Sequence, residues 1–365
     1  MPARLEINLA NLKHNVNCFK ERILKNQELL VMVKADAYGA GIVEVTKYLE
    51  KNGVKHFGVA YLKEAKKLRA NNIQGEITVF SGLVPNEIQE AIDVDAIYSV
   101  SDFVTLEKLN KEAKKKNKKV KIEVAIDTGM TRLGFNQKDI YRLSQDIKEL
   151  TNIEIHGVYS HLSQADYSDS FTKMQIENFD ECVEILKENG AEPKYVHLLN
   201  SAGILKYNSD KYNLVRLGIS AYGYLPSQDI QSSLELKGIF KLTAPICSLR
   251  YVNEGRQVSY GGTFKTTKAT KIAVLQIGYA DGLTRTLSNN YEVDAKGVSC
   301  KIIGNICMDT CMIDVTDACV ELGDEVIVFG FEDDKITTLA DNTNTIVYEV
   351  ITNIGKRVDR VYIDN

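Results

Sequence analysis

Lys34 closes an apolar run in "LLVMVKADAYGAG", residues 29–41. An ammonium group at the end of a buried strand loses hydration, and its pKa falls. That suits a lysine acting as nucleophile, base or Schiff-base partner. Other apolar runs end on chemically useful groups too. "VKIEVAI" leads into Asp127 and "TGMTRLGF", which carries Arg132; "IEIHGVYS" leads to His161; "YVHLL" to Asn200 and Ser201; and "NLVRL" holds Arg216 before Gly218 and Ile219. Strand ends often turn polar merely because they leave a core. A lysine, two arginines, a histidine and a serine at successive ends are better explained by one shared site. "RLGIS" sets backbone N–H groups beside a glycine, and with the Ser201 and Tyr38 hydroxyls they suit a phosphate. A phosphate at one end and a lysine at the other fit pyridoxal 5′-phosphate. Arg216 then replaces the carboxylate that a full electron sink places against the pyridine nitrogen. An arginine accepts no proton there, which favours quick reprotonation of a carbanion.

The elements that must position these groups follow from the pattern around them. Apolar runs at 29–33, 56–60, 76–80, 96–100, 120–126, 153–159, 195–199 and 213–217 mostly alternate with amphipathic stretches such as "IVEVTKYLEKNG". Continuous apolar strands separated by helices indicate parallel βα units. About eight of them close a (β/α)8 barrel of TIM type, whose strand C-terminal ends carry the active site. An open doubly wound sheet normally carries a glycine-rich fingerprint after its first strand, and no GxGxxG stands there. From about residue 236 the texture becomes short alternating β segments with turns such as "NEG" and "LGD". The expectation is an α/β barrel over residues 1–235 and a mainly antiparallel β domain over 236–365, with "SQDIQSS" (227–233) as linker.

The 365 residues carry a net charge of −4, which gives no footprint for nucleic acid. The basic cluster "KEAKKKNKKVK" (111–121) reads as a solvated helix end. No apolar run reaches 18 residues and no signal peptide opens the chain. The expectation is a cytoplasmic protein without a membrane segment. Seven cysteines without framework spacing suit reduced thiols. Cys307 and Cys311 lack a second pair at zinc spacing, so no metal is expected.

"VKADAYGAG", "DTGMTRLGF", "SHLSQAD", "LNSAG", "VRLGISAYGY", "QVSYGGTF", "IGYADG", "GNICMDTCMIDV" and a late "YEV" follow in order, and along nearly its whole length the chain resembles the alanine racemase family. The resemblance implies a homodimeric pyridoxal-phosphate enzyme that interconverts L- and D-alanine and supplies the D-amino acid for peptidoglycan. By motif, Lys34 carries the cofactor and Tyr260 is the second base, reaching in from the other subunit. His161 and Arg216 form a hydrogen-bonded network with that tyrosine. Tyr38, Ser201, Gly218, Ile219 and Tyr348 hold the phosphate. Arg132 faces the cofactor's phenolic oxygen, and Met308, Asp309 and Tyr279 border the substrate. A free tyrosine near pKa 10 is a poor base at neutral pH; neighbouring Arg216 and His161 would favour its phenolate.

The chain departs from the family pattern in places. A lysine, often carbamylated, commonly stands seven positions before the motif arginine; here it is Ala125. Arg132 therefore needs another counter-charge. The usual asparagine and histidine around the cofactor lysine are Asp36 and Ala40, and an arginine expected at the substrate entrance is Asn305. "NTNTIVYEVITNIGKRVDR" also resembles the racemase domain of membrane-bound serine/alanine racemases linked to vancomycin resistance. On that reading serine is a second substrate, and the chain is the cytoplasmic part of a longer membrane protein. A related barrel decarboxylase would want a carboxylate where Arg216 stands. A non-catalytic pyridoxal-phosphate-binding protein would lack the second domain.

Overall fold

The computed structural model describes residues 2–207, 209–332 and 334–364. The first strands are β1 (Arg4–Asn8), β2 (Glu28–Met32), β3 (His56–Val59), β4 (Glu76–Val79), β5 (Ile97–Val100), β6 (Val120–Asp127), β7 (Phe135–Asn136), β8 (Ile153–Tyr159), β9 (Tyr195–His197) and β10 (Leu214–Leu217), and all but β1 and β7 arise from the eight apolar runs. Eight of them pair in parallel in the order β10-β2-β3-β4-β5-β6-β8-β9, with β7 pairing off β6. The ring closes through two backbone bonds, from Asn213 N to Val196 O (3.2 Å) and from Arg216 N to Leu199 O (2.9 Å). This is the eight-stranded barrel expected from the alternation of strands and helices. Every residue of β3, β5 and β10 is buried, which explains why these strands read as unbroken apolar runs rather than alternating ones.

Helices fill the connections, and their ends are specified locally. Asp102 accepts from Thr105 N (2.7 Å) at the start of Phe103–Lys115. The basic cluster ends that helix as expected, and Lys116 and Lys118 pair with Asp93 at the surface. Residues 224–239 contain no helix or strand, and the segment expected as linker lies within them.

The later strands are β11 (Phe240–Val252), β12 (Gln257–Val258), β13 (Phe264–Lys265), β14 (Thr270–Leu275), β15 (Glu292–Ala295), β16 (Val298–Lys301), β17 (Cys311–Asp314), β18 (Glu325–Phe329) and β19 (Asp359–Ile363). Their sheet runs β16-β15-β18-β11-β1-β19, with β14 pairing β11 and β17. All its pairings are antiparallel except β1 with β19. Two compact units result. One holds residues 13–37 and 42–236; the other holds residues up to 12, residues 38–41 and residues from 237 onward. The first strand thus belongs with the last, because Leu5 and Ile7 are fully buried in the β sheet between β11 and β19. Tyr38–Gly41 is tied there too: Arg360 Nε donates to Gly39 O (3.3 Å) and Tyr362 Oη to Ala40 O (3.0 Å).

Candidate active site

β2 ends at Met32, and Lys34 follows it. Beyond the lysine the chain takes a left-handed turn: Ala35, Asp36, Ala37 and Tyr38 have φ of 53–56°. Each non-glycine residue in that region costs about 1–2 kcal/mol, so four in a row need compensation. Glu64 supplies part of it, accepting from Ala35 N (2.7 Å), and its other oxygen accepts from Ala60 N (2.7 Å) and Tyr61 N (3.0 Å) at the start of the next helix. Asp36 accepts from Ile42 N (3.1 Å) and pairs with Lys67. Lys34 is half-buried. Burial lowers its pKa, the guanidinium groups of Arg132 and Arg216 lower it further, and Glu64 opposes them. A lysine with a depressed pKa has its nucleophilic, proton-accepting form closer to neutral pH.

Inside the barrel Arg216, 4% exposed, is the centre of a buried polar chain. Its Nη1 lies 2.8 Å from His197 Nδ1, and its Nη2 lies 3.3 Å from His161 Nδ1. A guanidinium only donates, so both Nδ1 atoms accept. His197 therefore carries its proton on Nε2, which donates to Glu123 at 3.1 Å. Glu123 is 1% exposed and also accepts from Thr78 Oγ1 (3.2 Å). Gly157 leaves room for it, since a Cβ there would stand 3.2 Å from Glu123 Cγ. Arg216 further donates to the carbonyls of Ser160 (2.7 Å), Leu198 (2.9 Å) and His197 (3.2 Å). Among the described residues its Nε–H has no protein partner, leaving a donor for a ring nitrogen. Burial lowers the Arg216 pKa to about 10. Burial also holds His161 well below the usual imidazole range, and Arg216, Arg132 and Lys34 push it the same way. Those four residues thus share one electrostatic neighbourhood.

At the ends of β9 and β10, Asn200 caps the short helix Ser201–Lys206, accepting from Gly203 N (2.9 Å). The Ser201 hydroxyl accepts from Gly218 N (2.9 Å), and the one-turn helix Ile219–Tyr222 follows. The expected phosphate ligands of this unit are therefore contiguous. Ser220, fully buried, has an Oγ without a partner among the described residues. A lysine amine, a free guanidinium N–H and this hydroxyl and amide cluster suit a phosphorylated pyridine aldehyde. Arg132 is exposed on the loop after β6, which Asp127 shapes by accepting from Gly129 N (2.9 Å) and Thr131 N (3.0 Å). No carboxylate pairs with Arg132 among the described residues, and the buried Ala125 has no amine to carbamylate.

The remaining expected residues lie in the β unit. The buried ring of Tyr38 stands 6.2 Å from that of Tyr348, and burial raises its phenol pKa, with Tyr348 adding to the effect. Tyr260 opens a single turn and is 74% exposed. Tyr279 N donates to Cys307 O (3.0 Å) and Ala280 N to Met308 O (3.0 Å), so "IGYADG" and "NICMD" run side by side. Gly278 permits this approach, since a Cβ would meet both carbonyl oxygens at 2.4 Å. Asp309 pairs with Arg357 (2.7 Å), which also grips Asp281 through two bonds of 2.5 and 3.0 Å. Arg357 thus neutralises Asp309 and ties this loop to Asp281. Glu64, Glu123, His197 and Arg357 escaped the sequence reading. The signal for Glu123 was present: a glutamate inside the apolar run "VKIEVAI".

Residues 7–226 match the family model described as alanine racemase, N-terminal domain, and residues 239–362 match alanine racemase, C-terminal domain. The chain is 36% identical to "Alanine racemase 1" of Caldanaerobacter subterraneus over 99% of its own length and 95% of the relative's. It is 38% identical to the alanine racemase of Clostridium kluyveri over 99% and 94%. Among solved structures, an alanine racemase of Clostridium difficile superimposes with a TM-score of 0.95 at 37% identity, covering all of this chain and 96% of that one. An alanine racemase from Bartonella henselae with covalently bound pyridoxal phosphate gives 0.90 at 29% identity, with both chains fully covered.

Proposed function

The chain belongs to the alanine racemase family, and on that premise we propose how its residues interconvert L- and D-alanine. Pyridoxal phosphate, the family's cofactor, supplies an electron-withdrawing ring that acidifies the α-proton. Ser201, Gly218 and Ile219 would hold its phosphate, and by motif Tyr38 and Tyr348 would serve it too. Arg216 Nε–H would be the donor available to its ring nitrogen. Its other donors are fixed by His161, His197 and three carbonyls, so it stays a cation and takes no proton. A cation at that place would leave the ring nitrogen unprotonated. Lys34 attaches the cofactor and moves the proton on one face; the Tyr260 phenol does so on the other. Arg132 would face the cofactor's phenolic oxygen. Met308, Asp309 and Tyr279 border the amino acid, with Arg357 neutralising Asp309.

The observation that carries this reading is Lys34, with its depressed pKa, beside the Arg216–His197–Glu123 chain. The 74% exposure of Tyr260 supports its service in a second copy of the chain, hence a homodimer with shared sites. No helix among the described residues is long and apolar enough to cross a membrane, and no cysteine forms a disulfide. Both fit a reducing, cytoplasmic setting, where D-alanine would feed peptidoglycan. The named relatives are alanine racemases, so alanine takes precedence over serine; circular dichroism on L-alanine and L-serine in parallel tests that order.

Two measurements test the residue roles. Borohydride should fix the cofactor to a peptide containing Lys34, and label on another lysine overturns the attachment. Mixing inactive Lys34→Ala and Tyr260→Phe chains should restore part of the activity, because a heterodimer regains one intact site. Absence of recovery after proven subunit exchange removes the shared site.

A further inference from the structure

We propose that Asn305 is a positioning residue for Tyr260; the proposal rests on Tyr260 as the second base. Among the described residues the Tyr260 hydroxyl has no partner, and the side chain is 74% exposed. The place of the ring in its own chain is therefore set by the backbone beneath it. That backbone is unusual. Ser259 has φ 65° and ψ −174°, a region ordinarily reserved for glycine, and Gly261 and Gly262 follow at φ 71° and 56°. A serine stays there only if its surroundings hold it.

Residue 305 brackets the strained segment from both sides. Its backbone carbonyl accepts from Ser259 Oγ (2.5 Å), and its side-chain Nδ2 donates to the Tyr260 carbonyl (2.7 Å). Gly304 lets the two segments close up, since a Cβ there would stand 2.7 Å from Val258 O and 2.9 Å from Ser259 Cβ. Asn289 ties the same corner, accepting from Gly304 N (2.6 Å) and donating to Thr263 Oγ1 (3.2 Å). Ser259 gains only its own orientation from the first bond. The carboxamide bond acts on the Tyr260 peptide itself. Asn305 thereby clamps the backbone that carries the proposed second base.

A loosened clamp slows proton transfer on the tyrosine face and leaves the lysine face alone. Asn305→Asp keeps the size and loses the donor; Asn305→His offers a ring N–H in its place. In the holoenzyme, Asn305→Asp should lower kcat/KM for both enantiomers by about ten- to a hundred-fold. The ratio of Cα-deuterium isotope effects measured from L- and D-alanine should shift, since only one face is slowed. Amide exchange in the peptide spanning 258–263 should quicken at unchanged melting temperature. Asn305→His should recover part of each. If Asn305→Asp stays within two-fold of the parent, or loses activity with an unchanged isotope ratio, the clamp is refuted. Tyr260→Phe separates the premises: full activity in that variant overturns Tyr260 as base, whereas an inactive Tyr260→Phe beside an unaffected Asn305→Asp overturns only the clamp.

Discussion

Glu123 shows what a single buried residue decides. It sits 1% exposed inside a barrel, where an unpaired carboxylate would be very unfavourable. His197 and Thr78 satisfy it, and its carboxylate fixes the tautomer that lets His197 accept from Arg216. Burial raises the Glu123 pKa, but His197 and neighbouring cations outweigh it and the net shift is downward, so the carboxylate stays ionised at neutral pH. Glu123→Leu would strand two buried donors, each costing about 1–3 kcal/mol. Urea titration should show a lower midpoint and racemase activity should fall. Glu123→Gln keeps an acceptor and should lose far less stability. Equal losses for both variants would show that cavity shape, rather than the polar chain, matters here.

At the scale of elements, the barrel strands were readable from their apolar runs, and the left-handed turn after Lys34 was not. Nothing in the types of Ala35–Tyr38 announces φ near +55°; among the turn's partners is Glu64, 29 residues away from Ala35. Two substitutions test this balance. Ala35 is exposed, so Ala35→Gly meets no packing penalty there. It relieves about 1–2 kcal/mol of left-handed strain and adds about 0.4–1 kcal/mol of unfolded-chain entropy. A net stabilisation of roughly 0.5–1 kcal/mol is expected, seen as a higher melting temperature. Glu64→Ala removes the acceptor of three N–H groups and should destabilise by about 1–3 kcal/mol, with weaker cofactor retention on dialysis. A destabilised Ala35→Gly would mean that the turn is not strained.

Over the whole molecule, the strand ends remote from Lys34 carry a second charged cluster. Glu76 lies 3.1 Å from His156 and 3.2 Å from His56, whose other nitrogen is 2.5 Å from Glu28. Bonds from His156 and His56 hold Glu76 below the usual carboxylate range. Burial works against the His56 imidazolium, but Glu76 and Glu28 outweigh it and raise its pKa. The Glu76 contribution is present above the unfolded carboxylate pKa of about 4.3 and is lost as pH falls through the depressed folded value. The His56 contribution is present below the unfolded imidazole pKa of about 6.5 and is lost as pH rises through the elevated folded value. Together they act most fully between about pH 4.5 and 6.5. Calorimetry should find Glu76→Gln several degrees less stable than the parent near pH 6, with the gap narrowing at pH 9. A gap independent of pH would assign the loss to packing alone.

The barrel, the β domain and the family were legible in the order of residues. Apolar periodicity follows from burial on one or both strand faces, and the catalytic motifs are local. Lys34, Arg132, His161, Ser201 and Arg216 were singled out because strand C-terminal ends of a barrel converge. Only the tertiary structure decided their partners. Glu123 meets His197 across 74 residues, and Asn305 meets Tyr260 across 45. Such contacts depend on which strands become neighbours and which glycines leave space between them. The pairing of β1 with β19 is of the same kind: edge hydrogen bonds between the chain's two ends leave no periodic trace, because any alternating strand satisfies them.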